Sequence, residues 1–231
     1  MTSFVLKIIA IITMFMDHIG YCIFGRISFL NGIGRIAFPI FAFQIAEGYS
    51  HTKDITKYLT RLIIFALVSQ IPFMLFEYYV VGTSPFSLNV LFTLLLGLLA
   101  IYQYDKTSHK RLSLLLVALL AVIAQICKMD YGAFGVLIIF CFYVFKESKL
   151  RMTICYLVLV FLKYLKILLL TNFHIGYLIL CFSTMLPILL ICFYNGKQGK
   201  KAKYIFYLFY PIHLLLIVTI RILFFPIIPI G

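Results

Sequence analysis

Long apolar runs separated by short clusters of charge, glycine and proline make up almost the whole chain. That punctuation divides it into nine apolar segments, at about residues 3–24, 33–49, 57–78, 86–103, 112–127, 132–146, 152–171, 175–194 and 204–225. A helical crossing of a bilayer takes about 20 residues, so the pattern predicts an all-α, polytopic transmembrane helix bundle of about nine helices. Segments two, five and six are short enough for a tilted or re-entrant element, which makes eight crossings the alternative. No internal repeat and no linker interrupts the pattern, so residues 1–231 are expected to form a single domain.

Composition sharpens this picture. Of 231 residues, 64% are hydrophobic and 12% charged, against about 25% charged in an ordinary soluble domain, and the mean hydropathy is +1.11. A water-soluble globule is excluded, and with it a separate soluble catalytic domain. The first segment carries Asp17 and His18 within its apolar stretch and lacks a small-x-small cleavage site, so it is expected to remain as a helix.

Lys and Arg number 20 against 7 Asp and Glu, a net charge of +13. Fourteen of the 20 recur at alternate ends of the segments: Lys7; Lys53, Lys57 and Arg61; Lys106, Lys110 and Arg111; Lys146, Lys149 and Arg151; Lys197, Lys200, Lys201 and Lys203. The opposite connections hold only Arg26 and Lys128. Such asymmetry sets orientation in a membrane, and it predicts a multi-pass protein of the cytoplasmic membrane with its amino terminus inside and, for nine helices, its carboxyl terminus outside. The positive charge thus points to the lipid bilayer as partner and not to nucleic acid. Six cysteines are scattered singly with no C-x-x-C pair or zinc spacing, and they read as small buried hydrophobes; no metal site is expected.

Ionisable groups deep in a bilayer carry a penalty of about 2.5–3.5 kcal/mol each, so Asp17, Arg35, Lys163, Lys166 and Arg221 require partners, neutrality or water. Asp17 and Arg35 fall at the same end of neighbouring segments and are expected to pair, with Lys163 or Lys166 as the other cations in play. Adjacent side chains on a helix point about 100° apart, so Asp17 and His18 do not form a couple. Pro39 should kink the second helix by clashing with the Arg35 carbonyl. Glu47 and His51 lie one turn apart, and Tyr204, Tyr207, Tyr210 and His213 recur at steps of three, with His213 near mid-membrane beside Pro211. Asn89 and Thr93 are expected to hydrogen-bond between helices, and Asp130 and His174 to lie solvated near the outer ends.

The stretches KIIAIITMFMDHIG, GRIAFPIFAFQIAEGYSHTKDITKYLTRL, LNVLFTLLLGL, DYGAFGVL and YLFYPIHLLLI look like successive blocks of the TraX family, whose named member is associated with amino-terminal acetylation of pilin. The first two, at residues 7–20 and 34–62, are the most specific. This resemblance implies a single transmembrane acyltransferase-like domain, similar in plan to larger membrane acyltransferases. It implies transfer of an acetyl group from cytosolic acetyl-CoA to an amine or hydroxyl on a peptide amino terminus or an envelope glycan. Asp17, His18, Arg35, Glu47, His51, Arg61, Asp130, Tyr131 and His213 occupy its motif positions; Asn89 falls within the third block.

On that reading Lys53, Lys57 and Arg61 are the first candidates to hold the donor's phosphates, Lys106, Lys110 and Arg111 the second, with Glu47 and His51 beside them at the inner end. A desolvated neutral histidine suits removal of the acceptor's proton, with His18 the first candidate and His213 the second. Asp17 is placed with them, and Arg35 or a tyrosine hydroxyl such as Tyr210 is placed to stabilise the oxyanion. Either histidine is also a potential nucleophile. A reading from another class is a transporter or flippase whose buried charges line a permeation path. The absence of H-E-x-x-H and G-x-S-x-G leaves a protease without its motif.

Overall fold

The computed structural model describes residues 1–24, 28–83, 86–200 and 203–225. Arg26 and Lys201, which enter the charge count above, lie outside the described residues. The helices are α1 (Ser3–Phe24), α2 (Phe29–Gly34), α3 (Ala37–His51), α4 (Ile55–Phe76), α5 (Val90–Lys106), α6 (Lys110–Ile126), α7 (Gly132–Val144), α8 (Lys149–Leu170), α9 (Ile175–Met185), α10 (Pro187–Cys192) and α11 (Lys203–Phe224). Two pairs, α2–α3 and α9–α10, are broken rods, so the described residues form nine helical runs that coincide with the nine apolar segments. Six runs are long and apolar enough to cross a membrane. The chain is a multi-pass membrane protein built as an all-α bundle.

The three shorter runs also traverse the bundle. At one end of α7, the neighbouring loop is joined to the start of α5, where the Leu88 amide donates to the Lys128 carbonyl and the Asp130 amide to that of Leu88. At its other end, the Tyr143 hydroxyl donates to Asp105 near the end of α5 (2.8 Å), and Tyr49 donates to the same carboxylate (2.8 Å). α7 therefore runs parallel to α5 from end to end, about 20 Å at 1.5 Å per residue. It is not re-entrant.

Contacts also gather the basic connections at one end of the bundle. The amino-terminal ammonium donates to the Phe193 carbonyl (2.6 Å), the Ser3 amide to that of Lys197 (2.9 Å), Lys146 to Ser50 (3.5 Å) and Lys149 to the Cys192 carbonyl (2.8 Å). This is the alternation predicted from the charge count. Outside, α4 presents Ile63, Ile64, Leu67, Val68 and Ile71, all exposed, as expected of a face turned to lipid.

The second segment departs from expectation in how it bends. The helix does not kink at Pro39 but stops at Gly34 and restarts at Ala37. A proline cannot donate to the Arg35 carbonyl, so the ladder ends ahead of it, and Pro39 then occupies the first turn of α3, where no amide partner is needed. Ser28 and Asn31 form a reciprocal cap that starts α2 eight residues before Ile36. Pro211, by contrast, leaves α11 unbroken, whereas Pro187 divides the eighth segment into α9 and α10.

Candidate functional site

On α1, Ser3, Leu6, Ala10, Thr13, Asp17 and Gly20 recur at steps of three and four and form its buried stripe. That register carries Asp17 into the bundle against the α2–α3 break. One Arg35 guanidinium nitrogen donates to both carboxylate oxygens of Asp17 (2.9 and 3.1 Å) and to the Tyr21 hydroxyl (3.2 Å). The Asn31 amide adds a further donor to Asp17 (3.0 Å). The expected ion pair is present, with Arg35 as the partner. Gly34 is required here, because a Cβ at that position would overlap the Asp17 side chain.

Around this pair lies a chamber of about 240 Å³ lined by Asp17, His18, Arg35, Asp130, Tyr131 and Tyr210. Residues from α1, the α2–α3 break, the α6–α7 loop and α11 thus converge on one space, away from the basic end. Asp130 lines it and is only partly exposed, not freely solvated. The loop that carries Asp130 is pinned by Thr93, whose hydroxyl donates to the Asp130 carbonyl. Asn89 holds the other side: its amide donates to the Ala66 carbonyl (2.8 Å) and Gln70 (2.9 Å). Asn89 and Thr93 thus bond other elements, as expected. Tyr131 sits at φ +66°, a strained conformation for a bulky residue, and its ring stacks on Phe38 at 3.7 Å. Glu77, in the π-helical turn Glu77–Val81 that continues α4, also faces the chamber and accepts from Thr83.

His18 and His213 stand on the first and last helices of the chain, yet α1 and α11 pack together and the two rings meet, His18 Nδ1 lying 2.7 Å from His213 Nε2. The surrounding hydrogen bonds assign the protons. His213 Nδ1 lies 2.8 Å from the Phe209 carbonyl, which can only accept, so that nitrogen carries hydrogen. In a neutral ring His213 Nε2 is then an acceptor and takes the hydrogen of His18 Nδ1. His18 Nε2 is left with its lone pair. His213 itself is buried between Phe209, Tyr210 and Phe15, while His18 lines the chamber.

A second, larger cavity of about 450 Å³ opens at the basic end, lined among others by Lys7, Gln44, Glu47, His51, Arg61 and Tyr194. Phe41 lines both cavities, so the two spaces lie end to end along α1, α3, α4, α5 and α11. Glu47 and His51 meet across one turn (3.4 Å), and Tyr194 donates to Glu47 (2.8 Å). Burial, together with that bond, holds the Tyr194 phenol above its ordinary pKa. Two buried donors here, Gln44 Nε2 and Arg61 Nε, have no hydrogen-bond partner among the described residues.

Of the two basic groups expected around a donor, only Arg61 lines this cavity. Lys53 is exposed, and Lys57 is drawn off by Asp54 (3.1 Å), whose carboxylate caps α4 and is held below its usual pKa by the Lys57 amide. Lys106, Lys110 and Arg111 do not line it either. Lys106 lies 3.8 Å from Asp105, and Lys110 donates to the Tyr104 carbonyl (2.9 Å) at the α5–α6 turn. The charge pattern marks Lys7 only as a topology signal and passes over Gln44; its place one turn before Glu47 on the same face of α3 was the available clue.

The remaining intramembrane cations have separate settings. Lys163 lies 4.4 Å from the ring centres of both Tyr131 and Phe134, a cation–π arrangement, and Lys166 is exposed. Arg221 is buried and donates to the Cys22 carbonyl (3.0 Å). His174 is exposed, as expected, and accepts from the Gly176 amide at the start of α9. The cysteines are free; Cys22, Cys141 and Cys181 are buried, but Cys127 is exposed where α6 ends. Among the described residues no cluster of three metal-ligating side chains occurs.

No solved structure matches the chain. It is 32% identical to the probable fimbrial assembly protein FimC, serogroup H1, of Dichelobacter nodosus, over 95% of this chain and 96% of that protein. An uncharacterized protein of Rickettsia prowazekii (strain Madrid E) is 29% identical over 68% of this chain and 60% of its own length. Residues 3–221 match the family model described as TraX protein, a span that takes in both cavities and the histidine pair, and the chain belongs to the TraX family.

Proposed function

We propose that this protein is a membrane-embedded acetyltransferase that takes acetyl from acetyl-CoA in the basic-end cavity and delivers it to an amine or hydroxyl acceptor in the opposite chamber. The observation that carries this reading is the stacking of two cavities with ionisable groups in their walls along the same five helices, with a hydrogen-bonded histidine pair beside the farther one. The basic end faces the cytosol by the positive-inside rule, which gives the donor access from the side where acetyl-CoA is made and places the carboxyl terminus outside. A cavity of about 450 Å³ falls within the usual range for small-molecule sites, and its cationic residues Lys7 and Arg61 suit a phosphorylated ligand.

The donor supplies an acyl carbon activated as a thioester. The remaining work falls to the chain's own groups. His18 Nε2 removes the proton of the acceptor's attacking amine or hydroxyl as the new C–N or C–O bond forms; the C–S bond then breaks, and the proton taken up by His18 is released to the departing thiolate, giving free coenzyme A. His213 accepts the hydrogen bond from His18 Nδ1 and fixes that tautomer, a positioning role. Tyr210 and Tyr131 hydroxyls donate toward negative charge developing on the acyl oxygen, in the positive field of Arg35. Arg35 itself is committed to Asp17, Tyr21 and Asn31, so it orders the chamber more than it reaches for substrate. The likeness to a fimbrial assembly protein favours a surface peptide as acceptor.

Mass spectrometry of envelope peptides and glycans, with and without the gene, tests this. An acetyl mass difference that disappears with the gene is expected. Loss of a whole unacetylated compound from the outer face would instead indicate a transporter.

A further inference from the structure

We propose that Gln44 and Arg61 divide recognition of the donor in the basic-end cavity, Gln44 reading an amide carbonyl of its pantetheine arm and Arg61 its phosphates. The inference rests on the reading of that cavity as the donor site. Gln44 is 7% exposed and lines the cavity wall. Its carbonyl oxygen is occupied by the Ser3 hydroxyl at 2.6 Å, while its amide nitrogen has no partner among the described residues. A buried amide N–H without an acceptor is destabilising, by about 1–3 kcal/mol, and a ligand carbonyl placed there removes that penalty. The Ser3 bond fixes which way the amide faces. Ser3 in turn is held by α1, whose first amides donate to the Lys197 and Gln198 carbonyls.

Arg61 stands on the other wall, one turn beyond Tyr58, with its Nε also unpartnered and its guanidinium carbon 5.6 Å from the Tyr58 ring centre. Lys7 adds a second cation, 5.6 Å from the Phe206 ring. Glu47, the carboxylate on this wall, is already engaged by Tyr194 and His51, so the two cations are left for an anion. The cavity therefore presents one uncharged donor, Gln44, together with the cationic donors Arg61 and Lys7. A ligand that carries both amides and phosphates matches that combination.

Binding of coenzyme A, which has no acetyl group and so undergoes no transfer, to the detergent-purified full chain separates the parts. Pantetheine, which lacks phosphate, and adenosine 3′,5′-bisphosphate, which lacks the arm, serve as the other probes. Gln44→Leu is expected to weaken coenzyme A and pantetheine about tenfold each and to leave the bisphosphate unchanged. Arg61→Gln is expected to weaken coenzyme A and the bisphosphate about tenfold, with a shallower salt dependence, and to leave pantetheine unchanged. Gln44→Glu, closer in shape, repeats the loss if Gln44→Leu fails to fold. Variants that bind all three probes as the parent does overturn the division of labour while leaving the donor site standing. A parent protein that does not bind coenzyme A overturns both.

Discussion

Replacing His18 with alanine is expected to lower acetyl transfer about 10²–10⁴-fold, the range over which a positioned general base contributes, while the helical content and the detergent-solubilised fold persist. The reason is the proton assignment. With His213 Nδ1 committed to the Phe209 carbonyl and His213 Nε2 to His18, the lone pair that remains free in the pair belongs to His18 Nε2. His213→Ala should therefore have a smaller effect, because it releases the His18 ring to either tautomer without removing the base. His213→Gln, whose amide oxygen can accept from His18 Nδ1, should recover part of the loss; His18→Gln should recover none. Rate profiles with pH distinguish this from a packing defect, since loosening the pair shifts the profile and a packing defect lowers it uniformly. Full activity in a folded His18→Ala variant would remove the histidine from the chemistry.

Asp17→Ala should be the most destabilising single change in the chamber, by about 3–5 kcal/mol, because it strands the Arg35 guanidinium inside the bundle. The pair is shielded, with side-chain exposures of 11% for Asp17 and 17% for Arg35, and Asn31 and Tyr21 are arranged around the charged forms. Removing both charges together, in Asp17→Ala with Arg35→Met, should restore much of the stability without restoring transfer. Thermal unfolding in detergent of the parent, the two single variants and the double variant gives the coupling directly. Additive losses would show that the two groups do not depend on each other.

The segmentation was legible because lipid imposes it: every crossing must satisfy its backbone internally and present an apolar face, so the run lengths and the Lys–Arg alternation carry the topology. The Asp17–Arg35 pair was legible for a related reason, since two opposite charges at the same depth on successive helices have few other partners. The histidine pair was not, because residues 195 positions apart meet only through the packing of α1 on α11, which local pattern does not encode. Which basic groups border a cavity was not legible. Lys53, Lys57, Lys106, Lys110 and Arg111 are where orientation requires them, at the rim, and their charge says nothing about whether a cavity reaches them. Lys7 reads from sequence only as an orientation signal and Gln44 carries no signal of its own, because only the surrounding helices reveal that both border the same space.

The most direct test reconstitutes the protein in sealed vesicles, supplies acetyl-labelled acetyl-CoA on the side of the basic loops only, and places a short peptide with a free amino terminus and an amino sugar on the other side. Label covalently attached to either acceptor, with coenzyme A retained on the basic side, is the result expected if acetyl passes between the two chambers at their shared Phe41 wall. Transfer that occurs only when donor and acceptor share a side, or label that crosses without becoming attached, would contradict it.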